Sequence, residues 1–419
     1  MTAPPSPDEP VLPESVARAN LWTMVACVFV VFTGFAFVLP FMPLYVRELG
    51  VLDEERGALW AGILIGIAPL LAGLLAPVWG RLADRHGQKP MAVRALVAYV
   101  FLLLLSAVAQ DVWQLLFLRI GIGLFGGIGP LGLAMATASL PREQTGQAVG
   151  KIQAAQILSA AVGPLAGGLL ADAIGIRSTF VLTAALCAIA LAFVWRYYTE
   201  TPRRVVSADE PRAPFTAILG LAGVVPLLVV LFLVNFIGRS FTPILPMQLG
   251  RLGVGRDALA SSTGLLISIY SICAAASAML LGRASRTRSP RTMLVVALAA
   301  GAVTVLPLAW AGSFPAFVAF ASLLGLASGG ALTLCYTIGG LMVPAAHRTA
   351  AFGFFSAAAL FGGALSPSVA GLLVRWDLKA IYTVDAAIFA GLAVALMLSA
   401  PTAALRPTQA DPEPSPGPS

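Results

Sequence analysis

Charged residues are scarce in this chain of 419 residues: Asp, Glu, Lys and Arg together make up 11%, whereas hydrophobic residues make up 58%. Soluble domains carry about 25% charged residues, and a soluble fold of this size could not bury so much apolar surface. The scarcity of charge therefore excludes an ordinary soluble protein and predicts an integral membrane protein with the lipid bilayer as its partner.

Histidine and cysteine are also rare, with two and four residues respectively. His86 and His347 lie outside the apolar stretches, and the four cysteines lie inside them at spacings that no metal site uses. A membrane enzyme would need a constellation such as His-Glu-x-x-His, and an ATP-driven pump would need a Gly-x4-Gly-Lys-Ser/Thr loop. Neither pattern occurs. We therefore expect no enzyme activity, no metal and no cofactor.

The formal net charge of +7 would suggest nucleic-acid binding in a soluble protein. Here the basic residues lie in short segments between apolar stretches, where they set membrane topology. We therefore expect no nucleic-acid partner. The segments 1–14 and 401–419 are rich in proline, and we predict that both are disordered tails.

Apolar stretches long enough to cross a bilayer recur along the chain. A membrane-crossing helix needs about 20 mostly apolar residues. Twelve segments qualify, near residues 21–44, 58–79, 91–109, 112–138, 146–171, 176–198, 217–247, 258–281, 292–311, 314–340, 349–373 and 380–400. The sequence therefore predicts an all-α fold with twelve transmembrane helices, here called spans 1 to 12.

Basic residues are divided unevenly between the loops on the two sides of these spans. The loops that share a side with the chain termini hold 17 Lys and Arg residues, and the loops on the other side hold 7. The remaining two, Arg119 and Arg239, lie within spans. By the positive-inside rule, both termini are predicted to be cytoplasmic in a multi-pass protein of the plasma membrane.

The two halves of the chain repeat each other at an offset of 203 residues. Pro40 and Pro43 in span 1 correspond to Pro243 and Pro246 in span 7. The same offset relates Pro141 to Pro344, Gly150 to Gly353, Pro164 to Pro367 and Gly168 to Gly371, and an offset of 202 relates Gly80 to Gly282. Two parallel six-helix repeats are a transporter architecture. We therefore predict six-helix bundles at 15–198 and 217–400, joined by a cytoplasmic linker at 199–216.

The loop between spans 2 and 3 carries the sequence Gly-Arg-Leu-Ala-Asp-Arg-His-Gly-Gln-Lys at 80–89. It resembles the loop motif of the major facilitator superfamily, Gly-x-Leu-Ala-Asp-Arg-x-Gly-Arg-Lys, with one basic position lost at Gln88. The resemblance implies that Gly80, Asp84, Arg85 and Gly87 form a latch that opens and closes the cytoplasmic side during transport.

Physical chemistry supports this reading of the loop. Gly80 would allow close helix approach, and Gly87 would permit a tight turn with positive φ. Asp84 could bind a helix N-terminus or arginines of a neighbouring helix. The alternative is a basic topology loop with incidental glycines. The second copy, which runs from Gly282 to Arg286, lacks the acid, so we expect the latch to be stronger in the first half.

Span 5 contains Gly-Pro-Leu-Ala-Gly-Gly at 163–168. It resembles the Gly-Pro-x-x-Gly-Gly antiporter motif of exporters in the same superfamily, although Ser159 stands where family members often carry a further glycine. The resemblance implies that Gly163, Pro164, Gly167 and Gly168 form a hinge that seals one face of the cavity. The alternative is ordinary packing of small residues between membrane helices.

Two further segments point to one branch of the superfamily. Gly34, Pro40, Pro43 and Tyr45 near the end of span 1, and Arg119 followed by Gly123 in span 4, resemble the corresponding positions of twelve-span drug:proton antiporters. Sugar and metabolite exporters share these motifs, so this placement leaves both kinds of exporter open.

Polar residues inside the spans are the candidates for substrate binding, because buried charge in a membrane usually faces a cavity. The resemblance implies that spans 1, 4, 7 and 10 line the cavity, which places Arg119, Asn235 and Arg239 near substrate. Weaker candidates are Gln153 and Gln156 in span 5, Tyr270 in span 8, and Thr333, Tyr336 and Thr337 in span 10. For each, the alternative is a hydrogen bond between helices without a ligand role.

Acidic residues are absent from the middle of the predicted cavity spans. Asp385 lies about one turn inside span 12, and Arg119 and Asp385 are therefore the candidates for proton coupling. The alternative for Asp385 is an ion pair with Lys379 or Arg375 near the membrane surface.

Together these patterns predict a monomeric secondary transporter that exports small molecules in exchange for protons by alternating access. Lipophilic cation pumps commonly place a carboxylate in the cavity, whereas this sequence offers arginines, so we expect lipophilic neutral or acidic drugs or metabolites as substrates. A sugar or metabolite exporter and an uncoupled facilitator of the same superfamily remain the alternatives.

Overall fold

The fold of the chain is given by a computed structural model, which describes residues 13–140, 144–200, 220, 223–285, 287–343 and 348–398, without the side chains at 84, 145–146 and 348–350. All regular secondary structure in these residues is helical. Within them, twelve segments are long and apolar enough to cross a membrane. The predicted all-α fold with twelve spans is confirmed.

The helices of the first half follow the predicted order. They are Glu14–Ala36 continued by Leu39–Phe41 and Met42–Glu48 in span 1, Glu54–His86 in span 2, Gln88–Ala107 in span 3, Val112–Phe125 and Ile128–Ala138 in span 4, Thr145–Ile174 in span 5, and Ile176–Tyr197 in span 6. Glu14, which the sequence placed in a tail, begins the first helix.

The helices of the second half have the same order. They are Val224–Ser240 continued by Thr242–Ile244 and Leu245–Arg251 in span 7, Arg256–Ala258 and Leu259–Ala284 in span 8, Pro290–Val305 and Leu306–Trp310 in span 9, Phe314–Ser328 and Ala331–Met342 in span 10, Arg348–Leu373 in span 11, and Leu378–Leu398 in span 12. Most of the predicted linker, and both predicted tails apart from residues 13 and 14, lie outside the described residues.

Three boundaries differ from the prediction by more than a few residues. Span 1 begins at Glu14 rather than 21, and glycine explains the other two. Span 2 continues to His86 rather than 79, because its first break is Gly87, which has a φ of 99°. Span 7 begins at Val224 rather than 217, directly after Gly223, which has a φ of 87°. A positive φ of this size suits glycine and ends or precedes a helix.

Proline pairs interrupt spans 1 and 7 at corresponding places. Pro40 and Pro43 flank the junction between a short 3₁₀ turn and the last helix of span 1, and Pro243 and Pro246 do the same in span 7. Proline has no N–H to donate, so it breaks the ladder of helical hydrogen bonds. The sequence repeat is therefore also a repeat of backbone shape.

Each half has its own buried core, and two pairs of helices join the halves. Span 5 packs against span 8, and span 2 packs against span 11. The face of the molecule at loops 86–88 and 285–289 is here called the basic-loop face. The face at turns 49–53 and 252–255 is called the opposite face.

Candidate transport cavity and gating contacts

A cavity of about 150 Å³ lies within the second half, between spans 7, 8, 10 and 12. Its lining is mostly apolar or small: Val234, Asn235, Ile237, Gly238, Arg239, Phe241, Tyr270, Ala274, Leu324, Ser328, Gly329, Leu332 and Phe389. The structure therefore brings two predicted substrate-binding residues, Asn235 and Arg239, to one cavity.

The polar side chains of this cavity differ in how their donors are used. Asn235 Nδ2 and Ser328 Oγ each donate to a carbonyl one turn earlier in their own helix, at 3.2 and 2.8 Å. Arg239 is exposed, and within the described part of the chain its guanidinium has no hydrogen bond or ion pair. The cavity therefore presents a free positive charge.

Asp385 lies beside this cavity without lining it. Its side chain is 1% exposed, and Oδ2 accepts a hydrogen bond from Ser240 Oγ of span 7 at 2.5 Å. The alternative ion pair with Lys379 or Arg375 is not observed, because Asp385 lies on the face of span 12 that packs against span 7. The Lys379 ammonium instead lies 5.9 Å from the Trp310 ring.

Arg119, the second intramembrane arginine, is sealed inside the first half. It is 1% exposed, and its Nε donates to the carbonyl of Leu64 in span 2 at 2.9 Å. Its Nη1 is buried and has no hydrogen-bond partner among the described residues. One turn later, Gly123 lets span 4 approach the backbone of span 2 at Ala68. In this conformation Arg119 therefore lies between helices rather than in an open cavity.

Spans 4 and 10 are broken at corresponding glycine pairs, Gly126-Gly127 and Gly329-Gly330, which are 203 residues apart. A hydroxyl from a neighbouring span accepts a backbone N–H at each break. Tyr99 accepts from Gly127 at 3.3 Å, and Ser277 accepts from Gly330 at 3.1 Å. Discontinuous helices in corresponding positions of two halves mark binding sites in transporters, and the cavity with Arg239 adjoins the break in span 10.

The two interfaces between the halves, span 5 with span 8 and span 2 with span 11, are here called the seams. In both seams, glycines lie against the backbone of the partner helix. A Cβ added at Gly264 in span 8 would collide with the carbonyl of Pro164 in span 5, and one added at Gly62 in span 2 would collide with the carbonyl of Pro367 in span 11. A Cβ added at Gly168 would likewise collide with the carbonyl of Ala260. These contacts all lie in the halves of the helices nearest the opposite face, so that face is sealed.

Span 5 also packs against span 1 through its remaining motif glycines. A Cβ at Gly163 would lie 2.5 Å from Ala36 Cβ, and one at Gly167 would collide with the backbone of Phe37. The motif therefore presents one side to span 1 and the other to span 8. Ser159, at the position where a glycine is common, is buried and its hydroxyl lies within hydrogen-bonding distance of the carbonyls of Phe29 and Ala155.

One seam also contains a charged contact. The Asp172 carboxylate at the end of span 5 accepts hydrogen bonds from the backbone N–H groups of Ala260 and Ser261 at 3.2 and 2.7 Å. These amides belong to the first turn of span 8, where a negative charge is favoured by the helix dipole. Asp172 thus ties the first half to the second at the opposite face.

Comparison with known proteins connects these features to a family. The sequence profile of the Major Facilitator Superfamily matches residues 24–262 and 252–418. The chain belongs to this superfamily. The resemblance drawn from the loop and span 5 motifs is confirmed, and the protein is a multi-pass transporter of the inner membrane.

The chain is also similar to multidrug resistance proteins of bacteria. Multidrug resistance protein MdtG of Yersinia enterocolitica is 33% identical over 302 residues, which cover 71% of this chain and 73% of that protein. MdtG of Salmonella heidelberg is 29% identical over 371 residues, which cover 87% and 91%. The resemblance to multidrug efflux transporters is thereby confirmed.

Solved structures of the superfamily share the fold. A bacterial homologue of the human lysosomal transporter Spinster, in an inward-facing and occupied conformation, has a TM-score of 0.72 at 16% identity and covers 92% of this chain and 96% of its own. A D-xylose-proton symporter has a TM-score of 0.70 at 15% identity and covers 90% and 96%. At these identities the likeness shows the fold alone.

The loop motif of the superfamily adopts the predicted turn but makes an unexpected contact. Gly87 has the positive φ expected of it, and the Glu200 carboxylate accepts hydrogen bonds from the N–H groups of Gln88 and Lys89 at 2.8 and 2.9 Å. A Cβ at Gly87 would lie 3.2 Å from that carboxylate. The loop is therefore fixed to the end of span 6.

Gly80, another predicted latch residue, is less closely packed. Gly80 faces open space in this conformation, so the close helix approach expected of it is not present here. Arg85 is exposed. The Asp84 side chain and Arg286 of the second copy lie outside the described parts of the chain.

Apart from Tyr270, which lines it, the weaker substrate candidates do not line the cavity of the second half. Gln156 is half-buried in span 5. Tyr336 of span 10 stacks on Phe352 of span 11 at a ring distance of 5.9 Å. Both stay predictions for substrate contact.

Sequence reasoning missed several residues that the structure makes prominent. Ser240 and Asp172 look unremarkable in sequence, because their partners lie 145 and 88 residues away along the chain. Nothing in the sequence distinguishes Glu200, which lies in a predicted linker with three arginines and two further acids, Asp209 and Glu210. Tyr270 was a weak candidate, and only the fold places it beside Arg239.

Proposed function

We propose that this transporter exports small lipophilic neutral or acidic molecules by alternating access, in exchange for protons. The observation that carries the proposal is Arg239, which opens onto a cavity with no acidic lining residue. In an apolar cavity a single positive charge attracts an anion or a polar neutral group and repels a cation. The multidrug-resistance names of the relatives support drugs as substrates.

The direction of access is supported by the seams. Both are closed at the opposite face. In the parts of spans 2, 5 and 11 nearest the basic-loop face, by contrast, a Cβ added at Gly80, Gly150 or Gly353 would meet no atom of another helix within 4 Å. We assign the basic-loop face to the cytoplasm, so this conformation would receive substrate from the cytoplasm. Export then requires the seams to open and the basic-loop face to close, and the latch at 80–87 would stabilise that second state.

Proton exchange is assigned to Arg119 and Asp385, the two groups predicted from sequence. Both are almost fully buried within their half, where an ionisable side chain in a membrane is usually functional. The Ser240 hydroxyl would hold the Asp385 carboxylate in place after it releases a proton. Ser240 directly follows Arg239, so a change at Asp385 can reach the substrate cavity through span 7.

Transport in proteoliposomes with an imposed pH gradient tests this function. Three compounds of similar size are compared: a carboxylate, its uncharged amide and a permanent ammonium. We expect proton-driven movement of the carboxylate and the amide, a clearly lower rate for the ammonium, and collapse of the driven movement by a protonophore. Movement that ignores the pH gradient would replace the proposal with an uncoupled facilitator. Faster movement of the ammonium would contradict the charge argument.

A further inference from the structure

The cavity of the second half has more hydrogen-bond donors than acceptors to satisfy them. The Tyr270 hydroxyl, like the Arg239 guanidinium, has no hydrogen-bond partner among the described residues, and Tyr270 interacts electrostatically with both Asp385 and Arg239. The other two polar side chains use their donors within their own helices. Both donors are therefore available to a ligand that accepts hydrogen bonds from the two side chains.

The remaining walls of the cavity are aromatic and aliphatic. Phe241 and Tyr270 meet edge to face with ring centroids 5.4 Å apart, and Phe389 of span 12 forms another wall. The cavity volume is about 150 Å³. Apolar protein cavities of about 150 Å³ hold one benzene ring, and aromatic walls favour an aromatic ligand through edge-to-face contacts.

We propose that this cavity is a subsite for an aromatic carboxylate, with the carboxylate bound by Arg239 and the Tyr270 hydroxyl, and the ring between Phe241 and Phe389. This proposal rests on the proposed function in one respect, which is that the subsite belongs to the transport path. Arg239 supplies charge and a planar pair of donors that fits a carboxylate. Tyr270 supplies the second contact and acts as a specificity-determining residue.

The choice of a carboxylate over a neutral group follows from the charge of the site. A hydrogen bond to an ionised acceptor is worth about twice a neutral one, and the cavity lining offers no acid that would neutralise Arg239 from within. Asp385 lies outside the lining, where it is hydrogen-bonded to Ser240 and acts electrostatically on Tyr270, so it forms no ion pair with Arg239. An aromatic amide would fill the same volume with weaker bonds.

Calorimetry of the purified full chain in lipid nanodiscs, without any gradient, tests the subsite with benzoate, benzamide and benzyltrimethylammonium as probes. We expect benzoate to bind about tenfold or more tightly than benzamide, and the ammonium not to bind, because charged hydrogen bonds are the stronger ones. Arg239→Gln should remove the preference. Tyr270→Phe should weaken benzoate about tenfold and benzamide clearly less.

The matched control is Tyr382→Phe, which removes a buried hydroxyl of the same half that has no hydrogen-bond partner among the described residues and does not line the cavity. It should leave benzoate binding unchanged. Equal affinity for benzoate and benzamide, or an unchanged affinity in Tyr270→Phe, would overturn the subsite. Selective benzoate binding without proton-driven transport would instead retain the subsite and reject the proposed function.

Discussion

The two seams that join the halves have the same backbone contacts but different polar groups. Gly264 lies against the carbonyl of Pro164 and Gly62 lies against that of Pro367, so the sequence repeat is reproduced between helices. Small residues allow such contacts, which hold membrane helices together by close packing. The comparison indicates that the repeat conserves the shape needed to close the opposite face.

The chemistry of the halves, in contrast, is not repeated. Arg119 has Ser322 at the corresponding position of the second half, and Arg239 has Ala36 in the first. Arg119 is bound to a backbone carbonyl between two helices, whereas Arg239 faces a cavity. The repeated fold therefore contains one enclosed arginine, Arg119, and one accessible arginine, Arg239. We expect their substitution to affect different properties of transport.

The largest effect is expected from substitutions at the glycine contacts that both seams share. Gly168→Leu in span 5 and Gly371→Leu in span 11 would each drive a side chain into the backbone of the partner helix, at Ala260 and Ala58 respectively. Both should keep the opposite face open and reduce transport by more than about tenfold, because overpacking a tight interface costs about 1–3 kcal/mol or more. Transport assays and labelling of the cavity from the opposite face would measure this.

Gly391→Leu in span 12 is the control for this prediction, since a Cβ there meets no atom within 4 Å. It should retain transport. If only one of the two seam variants lost transport, the two seams would not contribute equally. The structural repeat would then not mean that both seams are needed to close the opposite face.

An intermediate effect is expected from substitution of the two intramembrane arginines, which the repeat does not share. Arg239→Gln should lower the ratio of carboxylate to ammonium transport by about tenfold, because the free charge of the cavity is lost. Arg119→Gln should retain that ratio and lose the response to the pH gradient. Initial rates for the matched compounds, with and without a gradient, separate the two outcomes. The assignment of different roles to the two arginines would be wrong if Arg119→Gln changed selectivity as strongly as Arg239→Gln.

Sequence predicted the features of this molecule that depend on local pattern. Span number and the shape repeat follow from runs of apolar residues and from prolines such as Pro40 and Pro243, whose effect on a helix is local. The conformation of Gly87 was predictable for the same reason. These features need no knowledge of which helices meet.

Contacts between distant segments could not be predicted in the same way. Asp385 has basic residues nearby in sequence, which suggested an ion pair at the membrane surface, but the rotation of span 12 directs it toward Ser240. Arg119 was expected in a cavity, and the packing of span 4 on span 2 encloses it in this conformation. Helix rotation is set by packing over the whole bundle, which one sequence does not reveal.

The smallest effect is expected at Asp172, whose contact has no counterpart at the corresponding position of the other seam. Asp172 accepts from two N–H groups in the first turn of span 8, whereas the corresponding residue of the other seam is Arg375, an exposed base. Asp172→Asn keeps one acceptor oxygen and loses the charge. Since a carboxylate at a helix N-terminus is worth about 0.3–1 kcal/mol, the open population should rise by roughly two- to fivefold.

Labelling from the opposite face measures this population in membranes, because a cysteine introduced in the cavity reacts there only when the seam is open. Arg375→Gln is the matched control and should not change the labelling rate, since no contact of its side chain across the seam is described. The Asp172→Asn effect should also shrink at high salt, because the contact is half-buried and partly screened. An equal rise in both variants would mean that surface charge in general, rather than this helix-end contact, keeps the opposite face closed. No rise in Asp172→Asn would mean that the remaining contacts of the seam, which are the glycine contacts and the hydrogen bond from Leu165 N–H to Ser268 Oγ, hold it without the carboxylate.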